Sequence, residues 1–99
     1  MIQNEPDLAI VVDRILEELN NAEKLHPKWP KDPIHAAAIV GEESGELTRA
    51  CLRWVYEMGE HEDMETEAIH TAATAIRFLL NIEEYKREIE AIPPFISYP

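Results

Sequence analysis

The sequence predicts an all-α fold, a bundle of four helices. Apolar residues recur at intervals of three and four in three long segments, which is the periodicity of amphipathic helices. Prolines cluster between the first two segments and again near the end of the chain, where a helix interior cannot continue. No segment shows the alternation of apolar and polar residues that is typical of a strand.

Composition limits the class of protein. The 99 residues form one domain, 1–99, and a hydrophobic content of 45% excludes a disordered chain. The 20 acidic residues outnumber the 9 basic ones, and the net charge of −11 argues against binding to nucleic acid or to an anionic membrane. Because so short a chain buries only a modest fraction of its surface, we expect a homodimer or homotetramer.

The sequence also bears on the compartment. A single cysteine, Cys51, excludes an internal disulfide and fits a reducing environment. No apolar run approaches the roughly 18 residues of a membrane span, and Met1 is not followed by a signal segment. We therefore expect a cytoplasmic protein.

The first helix is predicted from about Glu5 to Lys24, with Glu18 on its solvent side. The loop 26–33 follows, and its three prolines end the helix. Trp29 in this loop either packs against the bundle or stacks on a nucleobase. In the second case, Lys28 or Lys31 would lie near phosphate.

The second helix begins with Asp32 as N-cap and Pro33 as its first residue, and is expected to run to about Met58 and stop at Gly59. Gly41 and Gly45 are predicted to permit close helix approach on the packed side. That side has these apolar residues: Val40, Leu47, Cys51, Trp54, Val55 and Met58. The opposite side has a polar stripe: His35, Ile39, Glu42, Glu46, Arg49 and Arg53.

The third helix begins near Glu62 and either runs on to Ala91 or bends at residues 81–84 before a short last helix, Glu83 to Ala91. Its predicted buried face consists of Ala68, Thr71, Ala72, Ala75, Phe78, Leu79 and Ile82. A second polar stripe consists of Asp63, Glu67, His70, Thr74, Arg77 and Asn81. The two stripes either line one cleft between antiparallel helices or are ordinary solvated faces. Residues 93–99 are predicted to form an extended tail.

Three acids, Glu42, Glu43 and Glu46, lie within five residues of the second helix. Like charges at helical spacings of three and four repel one another, and a bound cation would reverse that effect. Carboxylate oxygens are ligands that Mg²⁺ and Mn²⁺ prefer. The alternative is a solvated acidic face.

The pattern Glu42-Glu43-x-x-Glu46, followed by Glu67-x-x-His70, resembles the signature EExxE…ExxD of the MazG-like all-α nucleoside triphosphate pyrophosphohydrolases. Residues 26–30, 35–43 and 71–79 look like the small, often phage-associated members. The resemblance implies hydrolysis of a nucleoside triphosphate to a monophosphate and pyrophosphate, with Mg²⁺ or Mn²⁺ as cofactor.

The resemblance also implies site residues. Glu43, Glu46 and Glu67 match metal-ligand positions, and His70 occupies the last one. Glu42 matches the first acid of the signature and is a candidate proton acceptor, so the catalytic candidates are Glu42, Glu43 and Glu46. The candidates for substrate binding are Lys28, Trp29, Lys31, Arg49, Arg53 and Arg77.

His70 departs from the family pattern, which has aspartate there. Histidine suits Mn²⁺, Fe, Ni or Zn better than Mg²⁺. Either the metal preference shifts, or Asp63 substitutes, or the site is impaired. Two other functions stay open: a non-catalytic helical dimer that binds a nucleotide or a protein, and a di-iron carboxylate bundle, in which Glu-x-x-His is also a ligand motif.

Overall fold

The computed structural model describes residues 6–87, and its regular secondary structure there is entirely helical. Three α-helices, α1 (Leu8–Leu25), α2 (Pro33–Tyr56) and α3 (His61–Leu80), are followed by a 3₁₀ turn, Ile82–Glu84. The predicted all-α class is thus confirmed over these residues. The predicted tail, 93–99, lies outside them.

The helix starts follow from capping side chains. The Asp7 carboxylate accepts a hydrogen bond from the Ala9 amide at 2.7 Å, and the Asp32 carboxylate accepts one from the Ile34 amide at 2.9 Å. Pro33 occupies the first turn of α2, where its missing N–H costs nothing. The predicted start of α2 is confirmed, whereas α1 begins three residues after its predicted start at Glu5.

The end of α2 differs from the prediction in its mechanism. The residue with the left-handed backbone is Met58, with φ of 57°, and not Gly59. Gly59 is needed for space, because a Cβ there would lie 2.9 Å from the Cβ of Arg53. The Gly59 amide donates to the Arg53 carbonyl at 2.9 Å, which folds the chain back towards α3.

The predicted last helix, Glu83 to Ala91, is not formed in the part that the structure describes, and residues 88–91 lie outside that part. The Asn81 side-chain amide donates to the Arg77 carbonyl and caps α3. Tyr85 then has extended backbone, with φ of −69° and ψ of 135°. Its hydroxyl donates to the Phe78 carbonyl at 2.9 Å, so the chain turns back along α3 instead of continuing as a helix.

α3 lies at the centre of the arrangement, with α1 and α2 each packed against it. Small residues mark the contacts, since Ala36 and Ala50 of α2 and Ala73 of α3 are buried, together with Leu19 of α1. These alanines lie beside or between the polar stripes. Most residues of the two stripes line two cavities along this contact, whereas His35 and Glu42 are exposed and line neither cavity. The first of the two arrangements that the sequence allowed is thus found only in part.

Several residues predicted to be buried are exposed. On α2 these are Trp54 and Val55, and on α3 they are Ala68 and Leu79. Met58, which lies after the end of α2, is also exposed. Ile82 of the 3₁₀ turn is exposed as well. The physical reason is that small residues allow α2 and α3 to approach along the stripes, which leaves the larger apolar side chains on the outside.

The predicted role of Gly41 and Gly45 in close packing is wrong for the single chain. A Cβ added at either glycine would meet nothing within 4 Å.

The single chain has little core. Within residues 6–87 no large side chain is fully buried. The radius of gyration is 17.5 Å, compared with about 13 Å for a compact domain of 100 residues. An open apolar groove of about 410 Å³ runs between α2 and α3, lined by Ala37, Val40, Ala75, Phe78 and Leu79. None of the helices over residues 6–87 combines the length and apolar character needed to cross a membrane.

Candidate metal centre

Side chains of α2 and α3 converge on one point of the cleft. The Nδ1 atom of His70 lies 3.8 Å from Glu43 Oε2 and 3.6 Å from Glu67 Oε2. One ligand atom from each of the three residues lies within 4.8 Å of the others, which is close enough for a single metal ion. We refer to Glu43, Glu67 and His70 as the carboxylate–histidine group.

The antiparallel packing of α2 and α3 brings this group together. Glu43 faces His70, and Glu46 lies beside Glu67 and raises its pKa. In sequence, these acids belong to separate helices joined by the short connection 57–60. The predicted metal residues Glu43, Glu67 and His70 are thus neighbours, with Glu46 next to them.

Burial makes this position costly for negative charge. The Oε2 atoms of Glu43 and Glu67 are buried, and no hydrogen-bond partner for either is found within residues 6–87. Desolvation raises the pKa of Glu43, and the negative charge of Glu46 raises it further. The pKa of Glu67 is raised by desolvation and by the nearby Glu46. A proton shared between the two carboxylates would relieve their repulsion. Two buried carboxylate oxygens without hydrogen-bond partners, next to an imidazole, are suitable ligands for a divalent cation.

α1 contributes a residue that the sequence interpretation missed. Glu18 Oε1 lies 3.5 Å from His70 Nε2, and the Glu18 side chain is only 31% exposed. The prediction that Glu18 lies on the solvent side is therefore wrong. Its spacing contained the signal, because Glu18 lies three residues after Ile15 and four before Ala22, both of which are half-buried.

Two cavities adjoin the carboxylate–histidine group. The first, of about 420 Å³, is formed between α1, α3, the first half of α2 and the loop 26–32. Its walls include Glu18, Leu25, His26, Lys28, Trp29, Ile39, Glu43, His70, Thr74 and Arg77. The second, of about 380 Å³, lies between α2 and α3 towards their connection, and is lined by Glu46, Arg49, Ala50, Arg53, Asp63 and Glu67.

The predicted substrate-binding residues are distributed between the two cavities. Lys28, Trp29 and Arg77 line the first cavity, and Arg49 and Arg53 line the second. Each cavity thus combines carboxylates of the candidate centre with cationic side chains.

Three other predicted residues have distinct positions. Lys31 and Glu42 are exposed and line neither of the two cavities. Asp63 lines the second cavity, one turn before Glu67 on α3. The Asp63 carboxylate therefore lies near Glu67, as it must if Asp63 substitutes for the aspartate that His70 replaces.

Trp29 is packed against the bundle, the first of its two predicted arrangements. Its indole N–H donates to the Tyr85 hydroxyl at 2.9 Å. The Arg77 guanidinium lies 4.9 Å from the centre of the indole ring, in a cation–π contact. Arg77 is only 7% exposed and also donates to the His26 carbonyl at 2.6 Å. The loop is thus fixed to α3, and Trp29 still forms part of the cavity wall.

No family model matches the chain, and no curated protein or solved structure matches it either. Function is therefore inferred from the geometry of the carboxylate–histidine group and its two cavities.

Proposed function

We propose that this protein is a metal-dependent nucleoside triphosphate pyrophosphohydrolase of the MazG-like type, which converts a (d)NTP and water into a (d)NMP and pyrophosphate. The observation that carries the proposal is the convergence of Glu43, Glu67 and His70 from two helices on one point between two cavities. The buried, unpartnered oxygens of the two glutamates give a reason for a cation to bind there.

Glu43, Glu67 and His70 would hold the cation, and the Glu46 carboxylate, beside Glu67 in the second cavity, would add negative charge next to it without being a ligand. The cofactor we propose is Mg²⁺ or Mn²⁺, with His70 favouring Mn²⁺. When bound, such a cation neutralises phosphate charge and lowers the pKa of a coordinated water.

The substrate carries several negative charges, and so does the protein, so cationic side chains have to line the path of the phosphates. Lys28 and Arg77 in the first cavity, and Arg49 and Arg53 in the second, supply them. We assign the nucleoside to the first cavity, because its walls include the Trp29 ring together with the apolar side chains of Leu25 and Ile39. The triphosphate then extends across the carboxylate–histidine group towards the second cavity.

Proton transfer from the attacking water needs a free carboxylate. Both Glu42 and Glu46 are exposed, but Glu46 lines the second cavity beside Glu67, whereas Glu42 lines neither cavity. We therefore assign the proton acceptor to Glu46 in preference to Glu42.

We also propose that the protein is a cytoplasmic homodimer or homotetramer. The apolar groove along α2 and α3, together with exposed Trp54, Val55 and Leu79, offers a surface that a second copy would bury. The single cysteine, Cys51, is compatible with the reducing compartment that we propose.

The experiment that tests the function is pyrophosphate release from a panel of NTPs and dNTPs, with Mg²⁺ and Mn²⁺ in separate reactions. We expect release from one or a few nucleotides, faster with Mn²⁺. The product should be the monophosphate, which separates this reaction from release of inorganic phosphate. No release with either metal would overturn the proposal.

A di-iron carboxylate protein is the second candidate. The observation in its favour is that Glu67 and His70 on α3 converge with a glutamate of α2, as in one half of such a centre. Iron content and visible absorption of the purified protein decide this point. Metal-dependent binding of a nucleotide without product would instead indicate a non-catalytic nucleotide-binding protein.

A further inference from the structure

His70 lies between carboxylates on both sides of its ring. Its Nδ1 atom faces Glu43 and Glu67, at 3.8 and 3.6 Å. Its Nε2 atom faces Glu18 of α1, at 3.5 Å. An imidazole binds a metal through one nitrogen, and the partner of the other nitrogen determines which one is free to do so.

We propose that Glu18 is a positioning residue that accepts a hydrogen bond from His70 Nε2–H and thereby directs Nδ1 at the metal. This inference rests on the metal site of the proposed function. The present separation is about 0.5 Å longer than an ordinary N–H···O hydrogen bond, so a small rotation of either side chain forms the contact.

Glu18 is placed to orient His70 and not to serve as another ligand beside Nδ1. The mutually close ligand atoms belong to Glu43, Glu67 and His70, while Glu18 faces the other ring nitrogen. A cation held at Nδ1 therefore lies on the side of the ring away from the Nε2 contact.

The position of Glu18 is fixed by the packing of α1 on α3. The neighbouring Leu19 is buried, and one turn earlier Arg14 lies 3.4 Å from Glu65. In sequence order, Arg14 meets Glu65 and Glu18 meets His70, so α1 runs parallel to α3. Through Glu18, α1 becomes part of the metal centre although the ligands themselves are on α2 and α3.

The test compares Glu18→Ala with Glu17→Ala, which removes an exposed acid from the same turn of α1. Affinity for Mn²⁺ alone and for Zn²⁺ alone is measured by calorimetry without nucleotide. We expect Glu18→Ala to weaken binding by about 10–100-fold, the usual cost of losing a partner of a metal-bound histidine. Glu17→Ala should bind as the wild type does. Glu18→Gln, whose amide oxygen still accepts a hydrogen bond, should recover part of the loss.

A spectroscopic measurement identifies the ligand atom. In Zn²⁺-loaded protein with ¹⁵N-labelled histidine, the wild type should show His70 with Nδ1 on the metal and the proton on Nε2. Glu18→Ala should lose this uniform tautomer. Coordination through Nε2 in the wild type, or equal affinities of the Glu18→Ala and Glu17→Ala variants, would overturn the inference. If Glu18→Ala does not fold, Glu18→Leu, which keeps more of the side-chain volume but cannot accept a hydrogen bond, provides the same comparison.

The inference and the proposed function fail in different ways. Metal binding that depends on Glu18, without pyrophosphate release, would uphold the inference and remove the function. Pyrophosphate release with unaltered metal affinity in Glu18→Ala would remove the inference alone. A wild type that binds neither Mn²⁺ nor Zn²⁺ would overturn both.

Discussion

Glu67 Oε2 and His70 Nδ1 lie 3.6 Å apart on adjacent turns of α3, inside the cleft that α3 forms with α2. The imidazole lowers the pKa of Glu67, yet desolvation and Glu46 outweigh it, and the net pKa is raised. The folded chain thus holds a carboxylate where its charge is unfavourable. Groups with a perturbed pKa often mark functional sites, since a bound cation or ligand stabilises the charge that is unfavourable without it.

Replacing Glu67 by glutamine should stabilise the metal-free protein at neutral pH. Because the folded-state pKa of Glu67 lies above its ordinary value of 4.5, its stabilising contribution is fully present below pH 4.5. That contribution is lost as the pH rises through the raised pKa. Glu67→Gln removes the ionised form, so its Tm should rise, by about 4–8 °C per kcal/mol, and depend less on pH in this window.

The measurement is thermal unfolding in chelator at a series of pH values. Glu17→Gln, which changes an exposed acid on α1, controls for the general effect of lowering the net charge. An unchanged or lower Tm for Glu67→Gln at pH 7 would show that Glu67 is not destabilised by its surroundings.

Glu46→Gln should abolish pyrophosphate release and weaken Mn²⁺ binding while the helix content stays the same. Glu46 lines the second cavity beside Glu67, and it is exposed, so its loss removes a charge without opening a core. Circular dichroism, Mn²⁺ titration and turnover provide the three measurements. Unchanged turnover would remove Glu46 from the site. Glu42→Gln is the informative comparison, because a loss confined to that variant would move the proton acceptor to Glu42.

Local signals predicted the helices well, whereas the choice of packed face needed information that the sequence does not contain. Asp32-Pro33 specifies a helix start through one side chain and one fixed φ angle, so the prediction was correct. Trp54 and Val55 belong to an apolar stripe of α2. Such a stripe predicts that these side chains are buried, but not whether they pack against the same chain or against a second one. In the single chain both are exposed.

The carboxylate–histidine group also depends on helix packing, which local sequence signals do not determine. The spacing of Glu43 and Glu46, and of Glu67 and His70, puts each pair on one helix face. A symmetric turn near Gly59 would place Glu46 opposite about Thr74, so antiparallel packing alone does not predict the contact with Glu67. The contact forms because α2 already ends at Tyr56, which sets the register of the two helices. The position of Glu18 beside His70 was not predicted, because α1 has several acidic residues and nothing in the identity of Glu18 distinguishes it from the others. Only its position between Ile15 and Ala22 distinguished it.

His70→Asp should raise Mg²⁺-supported pyrophosphate release relative to Mn²⁺-supported release. A carboxylate restores the negative charge that Mg²⁺ favours, at the cost of the ligand that suits Mn²⁺. We expect the ratio of the two rates to change by about tenfold, equivalent to about 1.4 kcal/mol in the barrier. A loss of activity with every metal would instead show that His70 has a role that a carboxylate does not fill.

Tyr85→Phe should destabilise the fold without altering metal affinity. The Tyr85 hydroxyl accepts from the Trp29 indole and donates to the Phe78 carbonyl, so its removal leaves both groups unpaired. Each unpaired group costs about 1–3 kcal/mol if it stays buried. Tyr56→Phe is the matched control, since Tyr56 is 78% exposed. Equal Tm values for the two variants would show that the link between the loop and α3 contributes little.

Alanine substitutions at Gly59 and Gly41 should change stability in opposite directions. At Gly59 a Cβ would lie 2.9 Å from Arg53 Cβ and 3.1 Å from the Arg53 carbonyl carbon, so the connection between α2 and α3 has to shift, at a cost of about 1–3 kcal/mol. At Gly41 a Cβ meets nothing within 4 Å, and the higher helix propensity of alanine should add about 1 kcal/mol. Urea unfolding gives both values, and analytical ultracentrifugation gives the oligomeric state. A destabilised Gly41→Ala variant that also dissociates would place Gly41 against a second copy of the chain, because the space around it is open in the single chain.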